Sequence, residues 1–399
     1  MTAGVTFARG FRAAGVTAGF KPSGQPDLAL LAGPDGTTAA GLFTTNRVAA
    51  APVHLSRARL GAGRGTAVLV NSGQANAATG ARGDDDALAA TEGAARLLEL
   101  DVEDVLACST GVIGEPLHMP QILAALPGLV ESLSQNGGGT FARAIMTTDT
   151  VSKQATVERG PYRVGGAAKG VGMISPNLAT MLAFLTTDAP VGRDHLQRLA
   201  DEQLKPRFNA LTVDACTSTN DAVLVLASGA AGGDPVTPGT DAWSAVEGAV
   251  AEVGESLVSQ LIHDAEGVSH VLLIDVDGAR DDDEARVVAK AVADSPLVKA
   301  AAFGRDPNPG RVLQAVGSSG ADIDAERVDI WIGGTQLVVA GTIPLDYFAD
   351  DGLRSAAGAA MHAPEIVVRV RLGEGPGRSR ALGCDLSYEY VRINGEYTT

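Results

Sequence analysis

The chain has 399 residues, 45% of them hydrophobic, and carries 31 basic against 47 acidic side chains for a formal charge of −16. That length can bury a substantial core and sets a prior of two or three domains. The acidic balance, with no basic stripe, argues against nucleic acid or an anionic membrane as partner and leaves a small-molecule substrate.

Along the chain, strand-like runs alternate with alanine-rich helical patterns, which is an α/β reading. Arg9 and Arg12 break any apolar run at the N-terminus, and no segment approaches the ~18–20 apolar residues of a membrane span, so neither signal peptide nor anchor is expected. Gly65–Asn71 reads as a strand, and helical patterns follow at 86–100 and 119–133. Between them, Val105–Cys108 reads as a buried strand running into Ser109-Thr110-Gly111, where Gly111 permits backbone geometries that other residues avoid. Lys169 falls in a glycine-rich bend eleven residues before Thr180. After Gly170, Gly172 and Pro176, the run Thr180–Thr187 is β-branched and apolar enough for a buried strand with Thr180 at its first position. Helical patterns return at 193–205 and 241–265, separated by a segment, 229–239, whose Pro235 and Pro238 mark either a domain break or a surface loop. The acidic runs Asp84–Asp86 and Asp281–Glu284 read as solvated turns or helix starts.

Three distant cysteines, Cys108, Cys216 and Cys384, suggest neither a disulfide framework nor a metal knuckle and fit a reducing cytoplasm; Cys108 reads as a small core residue. Six scattered histidines include no His-Glu-x-x-His arrangement, and Gly165–Gly170 lacks the Gly-Lys-Ser/Thr order of a phosphate loop. A hydroxyl nucleophile at Thr180 needs neither metal nor histidine. If the Ala179–Thr180 bond breaks, Thr180 gains an α-amine of reference pKa about 7.7–8.0, a base within reach of its own hydroxyl. From local chemistry alone, a threonine opening a strand is ordinarily a strand former.

Eight segments change that weighting: Asn71–Gly80, Ser109–Gly114, Met146–Thr150, Ala168–Met173, Leu178–Leu182, Thr217–Asp221, Asp264–Gly267 and Gly304–Asn308. In this order and spacing, over nearly the whole chain, they resemble the ornithine acetyltransferase family of arginine biosynthesis, also called the ArgJ family. The resemblance implies a layered helix-sheet-sheet-helix sandwich of the DmpA/ArgJ-like type, with a smaller C-terminal α/β lobe at roughly 240–375. It implies a precursor cut between Ala179 and Thr180 into an α chain, 1–179, and a β chain, 180–399, which stay together in an α2β2 heterotetramer.

For the site, the resemblance implies Thr180 as nucleophile, Thr110 and Gly111 as the oxyanion hole, and Thr147, Lys169, Thr180, Glu266, Asn394 and the terminal Thr399 as the substrate-binding set. Lys169 and Glu266 suit the chemistry, since a cation holds a carboxylate and an anion holds an ornithine ammonium. Asn394 and Thr399 imply that the tail 393–399 folds back onto the site. Two departures stand out: Pro309 precedes Gly310-Arg311 where the family usually has Trp, and His270 replaces a common lysine. They put local packing or substrate preference in doubt, not the reaction class.

The expected reaction moves an acetyl group from N2-acetyl-L-ornithine to L-glutamate through acetyl-Thr180, by ping-pong kinetics and without cofactor or metal. Members of the family differ in whether acetyl-CoA also serves as donor, and these residues do not sort them. Two rivals stay open: an N-terminal-nucleophile amidohydrolase or aminopeptidase that passes the acyl group to water, and an uncut noncatalytic binding homologue.

Overall fold

The computed structural model describes residues 3–175, 181–349 and 352–396. Two compact units divide the chain: one comprises residues up to Asn209 together with Cys216–Asp264, the other Ala210–Ala215 and the residues from Ala265 onward.

The first unit is built on two sheets. Strands β1 (Arg12–Val16), β2 (Leu28–Ala32), β3 (Thr38–Phe43), β4 (Ala67–Gln74), β5 (Val105–Val112), β6 (Lys153–Arg159), β7 (Tyr162–Lys169), β8 (Leu182–Thr187) and β9 (Ala222–Ala227) sort into a four-stranded sheet, β1-β2-β4-β5, and a five-stranded sheet, β3-β9-β8-β7-β6. Each is mixed, with one parallel pair: β4 with β5 in the first and β8 with β9 in the second. In the second sheet the parallel pair is buried throughout, all six residues of β8 and of β9, as expected where both faces are covered.

Helices of this unit are α1 (Ala51–Gly61), α2 (Gly80–Leu98), α3 (Met119–Glu131), α4 (Gly138–Ala144), α5 (Arg193–Leu199), α6 (Lys205–Asn209) and α7 (Asp241–His263). Between the sheets, Leu31, Val68, Val70 and Leu106 of one pack with Leu182, Phe184, Leu224 and Leu226 of the other. On its far face the first sheet packs Leu28, Leu30 and Leu69 against Ala90 and Ala94 of α2 and Ile122, Leu126 and Leu129 of α3. Across the second sheet lies α7, so close that a Cβ on Gly166 of β7 would stand 2.9 Å from Val253 and 3.0 Å from Leu257. The order is therefore helix, sheet, sheet, helix.

The helical patterns at 86–100, 119–133 and 241–265 correspond to α2, α3 and α7. The pattern at 193–205 differs: α5 stops at Leu199, and Ala200–Leu204 forms a π-turn before α6. The segment 229–239 connects β9 to α7 within the first unit, where Thr240 caps α7 by accepting the Trp243 N–H.

In the second unit, β10 (Val271–Ala279), β11 (Asp329–Ile332), β12 (Thr335–Val338), β13 (Glu365–Arg371) and β14 (Gly377–Cys384) form one mixed sheet in the order β12-β11-β13-β10-β14. Its helices are α8 (Asp282–Asp294), α9 (Pro296–Phe303), α10 (Pro309–Gly317), α11 (Leu353–Gly358) and α12 (Tyr388–Glu396). Val288 and Val292 of α8 pack on Leu272, Ile274 and Val368 of the sheet. Asp281, from one of the acidic runs, caps α8 by accepting the Glu284 N–H at 2.8 Å, whereas Asp84–Asp86 lies within α2. No helix among the described residues is long and apolar enough to cross a membrane.

Candidate active site

In the first unit the site grows from two strand ends. β4 and β5 run parallel in a register that sets Ser72 beside Thr110 and Gly73 beside Gly111. The strand expected to stop at Cys108 continues to Val112, carrying Ser109, Thr110 and Gly111 within it. Gly111 has φ +132°, and a Cβ there would lie 2.2 Å from the carbonyl carbon and oxygen of Gly73, so the close approach of the two backbones requires glycine. Behind it, Ser109 Oγ donates to Asn71 Oδ1 at 2.5 Å, and Asn71 Nδ2 donates to the Gln74 carbonyl at 2.8 Å. Cys108 is buried in the core, and burial pushes its thiol up to about 12, which keeps it inert.

Lys169 is the last residue of β7, in place of the glycine-rich bend expected of it, and is buried. Its Nζ donates to Thr147 Oγ1 at 2.7 Å and to Thr110 Oγ1 at 3.1 Å. Three expected site residues thus meet on one ammonium. The arrangement also orients the hydroxyls: each oxygen accepts from the ammonium, so each hydroxyl hydrogen is left to donate elsewhere.

One carboxylate supports this trio from behind. Asp149 accepts from the Thr147 N–H at 3.0 Å, from the Gly170 N–H at 2.9 Å and from Lys153 Nζ at 2.6 Å. Burial alone would raise its pKa, but the charges of Lys169 and Lys153 and these hydrogen bonds hold the carboxyl below its ordinary range. Lys153 is fully buried and donates also to Asp264 Oδ2 at 2.6 Å, while Asp264 in turn accepts from the Thr150 N–H at 3.1 Å and from the Thr150 hydroxyl. A buried ammonium is tolerable only with such pairing.

Lys21 lies nearby in electrostatic terms. Its Nζ donates to the Pro26 carbonyl at 2.6 Å. Burial lowers its pKa to about 8, Asp27 opposes the shift, and the positive charge of Lys169 adds to it.

Ala179, Thr180 and Thr399 lie outside the described residues, but Met181 lies within them and is buried. The described strand begins at Leu182, two residues after the expected start. Met181 N–H donates to Asp221 Oδ1 at 3.0 Å, and the Met181 carbonyl accepts from Ala222 N–H at 3.2 Å. Asp221 is wholly buried; burial pushes its carboxyl well up, outweighing the opposing pull of the Met181 N–H, the Ser218 hydroxyl and the Lys169 charge. Next to it, Asn220 Nδ2 donates to the carbonyls of Ala75 at 2.6 Å and Ser109 at 2.8 Å.

In the second unit, Glu266 is buried and accepts from Asn394 Nδ2 of α12 at 2.9 Å. The tail is helical as far as Glu396, and its helix is seated against Gly267, where a Cβ would meet the Tyr390 nitrogen at 2.4 Å. Ser387 Oγ fastens the same place by donating to the Gly267 carbonyl at 2.6 Å. The two departures have local explanations. Pro309 occupies the first turn of α10, where a missing N–H costs nothing, after Asn308 has capped the helix by accepting the Arg311 N–H at 3.1 Å. His270 is buried, with Nδ1 2.8 Å from the Ala363 carbonyl, which fixes the proton on Nδ1.

Asp149, Lys153, Asp264, Asn220 and Asp221 were not singled out as site residues by the sequence, although most fall inside its landmark segments. The one local signal is Asp149 and Lys153 four apart, an ordinary surface spacing whose burial no pattern reveals. Among the described residues no cluster of histidine, cysteine or carboxylate side chains has the makings of a metal site.

Comparison with known proteins gives a match to the ArgJ family model over residues 12–399. The chain is 45% identical over 405 residues to the arginine biosynthesis bifunctional protein ArgJ of Parasynechococcus marenigrum, covering 100% of this chain and 96% of that one. It is 44% identical to the protein of the same name from Synechocystis, covering 99% and 98%. Among solved structures, the ornithine acetyltransferase of Mycobacterium tuberculosis complexed with ornithine is 46% identical, covers 45% of this chain and 98% of that chain, and superposes with a TM-score of 0.44.

Proposed function

Since this chain belongs to the ArgJ family, we propose that it is a self-processing acetyltransferase of arginine biosynthesis, moving an acetyl group from N2-acetyl-L-ornithine to L-glutamate through Thr180. The observation that carries the reading is the meeting of Thr110 and Thr147 on the Lys169 ammonium.

In the precursor, Thr180 Oγ attacks the Ala179 carbonyl carbon, the C–N bond breaks, and the hydroxyl proton passes to the departing nitrogen. Water then hydrolyses the resulting ester, leaving the Ala179 carboxylate and a free Thr180 with both hydroxyl and α-amine. The products are an α chain, 1–179, and a β chain, 180–399, which associate as α2β2.

In catalysis the α-amine takes the Thr180 hydroxyl proton as Oγ attacks the acetyl carbon of N-acetylornithine. The amide C–N bond breaks and ornithine leaves with that proton. Glutamate then attacks the acetyl ester through its amine, which loses a proton to the α-amine, and Thr180 Oγ departs protonated. Thr110 and Gly111 supply donors to the oxyanion of each tetrahedral state, a contribution worth about 10²–10³ in rate per donor. The Lys169 contact supports this for Thr110, because it leaves the hydroxyl hydrogen to point at the oxyanion. Lys169 and Thr147 meet the substrate carboxylate or amide, and Glu266, Asn394 and Thr399 complete the substrate set, with Glu266 suited to the ornithine ammonium.

The test is an assay of purified protein with N-acetylornithine plus glutamate, beside acetyl-CoA plus glutamate and beside N-acetylornithine in water alone. N-acetylglutamate formed in the first mixture supports the reading. Acetate release unaffected by glutamate favours the hydrolase, and the second mixture decides whether acetyl-CoA is a donor.

A further inference from the structure

The residue after the candidate nucleophile is clasped on both sides. Met181 N–H donates to Asp221 Oδ1 at 3.0 Å, while its carbonyl accepts from Ala222 N–H at 3.2 Å. The first bond is made by a side chain where a sheet would use backbone. It sits one residue ahead of the regular parallel pairing of β8 with β9, which begins at Leu182 opposite Ala222. Asp221 is anchored in turn, its own carbonyl accepting the Thr44 N–H at 3.1 Å. Neighbouring Asn220 reaches the other way, donating to the carbonyls of Ala75 and Ser109, the second of which immediately precedes Thr110. Two adjacent side chains therefore tie the strand that begins just after Thr180 to the strand that carries Thr110 and Gly111.

We propose that Asp221 is a positioning residue for the nucleophile, holding by its carboxyl the N–H of the peptide that joins Thr180 to Met181 and so aligning Thr180 with Thr110 and Gly111. This rests on the reading of Thr180 given above. The N–H in question is covalently attached to the Thr180 carbonyl carbon, so a bond to it governs the plane of the peptide leaving the nucleophile. Alignment of that kind acts on the barrier more than on binding, since a misplacement of about 1 Å at a reacting atom costs ~10²-fold in rate. Burial favours the neutral carboxyl, whose oxygen still accepts the Met181 N–H.

The discriminating experiment compares Asp221→Ala, Asp221→Ser and Asp221→Asn with Thr180→Ala, reading self-cleavage of the fresh precursor and steady-state N-acetylornithine/glutamate kinetics. Asp221→Ser keeps a polar group too short to reach Met181 and stands in should the alanine variant not fold. The expected result is a kcat lower by ~10²-fold and slower cleavage for the alanine or serine variant, with KM unchanged within about twofold. Asp221→Asn keeps an acceptor for the Met181 N–H and restores kcat to within about fivefold, with an unshifted pH profile. A serine or alanine variant with wild-type kcat, or an asparagine variant as impaired as alanine, overturns the proposal. If Thr180→Ala is inert and uncut while the Asp221 variants are normal, the positioning role alone fails. If Thr180→Ala is itself active, the nucleophile reading fails and this proposal with it.

Discussion

Lys169 Nζ donates to Thr147 Oγ1 at 2.7 Å, joining a lysine at the end of β7 to a threonine 22 residues earlier, and Asp149 grips the backbone beside both. The pair makes one prediction. Replacing Lys169 by Met removes the cation and the restraint on both hydroxyls, and kcat/KM for acetyl transfer falls by about 10² or more, read as lost transition-state stabilisation. Lys169→Arg does not restore it, because a planar guanidinium in place of a compact ammonium cannot hold the same two oxygens.

Asp149 supports a prediction about stability. Asp149→Ala leaves the buried Lys153 ammonium with a single carboxylate and orphans the N–H groups of Thr147 and Gly170, which costs about 3–5 kcal/mol as measured by urea unfolding. Asp149→Asn is less destabilised than Asp149→Ala, since its amide oxygen still accepts from one of the donors that Asp149 holds.

A third prediction concerns pH. The Lys21 pKa falls from an ordinary 10.5 to about 8 in the folded chain, so between these values the unfolded chain binds more protons than the folded one. Stability from this group therefore rises as pH climbs through that window and is flat below it. The Tm of the wild type relative to Lys21→Met increases between pH 8 and pH 10 in differential scanning calorimetry; a constant gap contradicts the assignment.

Much of the first unit was readable in the sequence because its signals are local. The helical periods at 119–133 and 241–265 end within two residues of α3 and α7. The strand read at 65–71 overlaps β4 but stops short of Gln74, because β4 ends in Asn71, Ser72 and Gln74, polar residues that are nonetheless buried. The same holds for the site. Thr110, Gly111, Thr147 and Lys169 belong to recognisable segments, and the structure brings them together. Lys153 and Asp264 meet across 111 positions, and Asp221 reaches Met181 across 40, separations over which no periodicity operates. The break at Leu199 escaped for a different reason: a π-turn keeps helical composition while shifting the face by one residue.

Gly111 gives a prediction about backbone geometry. Gly111→Ala drives a Cβ to 2.2 Å from the Gly73 carbonyl at φ +132°, so β4 and β5 must separate there. The variant either loses folded yield or remains uncut and inactive, whereas Gly80→Ala, with open space around its Cβ, keeps activity within about twofold despite its positive φ.

Whether Thr180 cuts the bond before it and then carries the acetyl group is read from intact-mass spectrometry of the denatured wild type and Thr180→Ala. Two polypeptides are expected for the wild type, the second beginning at Thr180 and gaining one acetyl group on brief exposure to N-acetylornithine, against one full-length, unacetylated chain for the variant. A wild type that stays in one piece, or a Thr180→Ala chain that is still split and still acetylated, contradicts that role of Thr180.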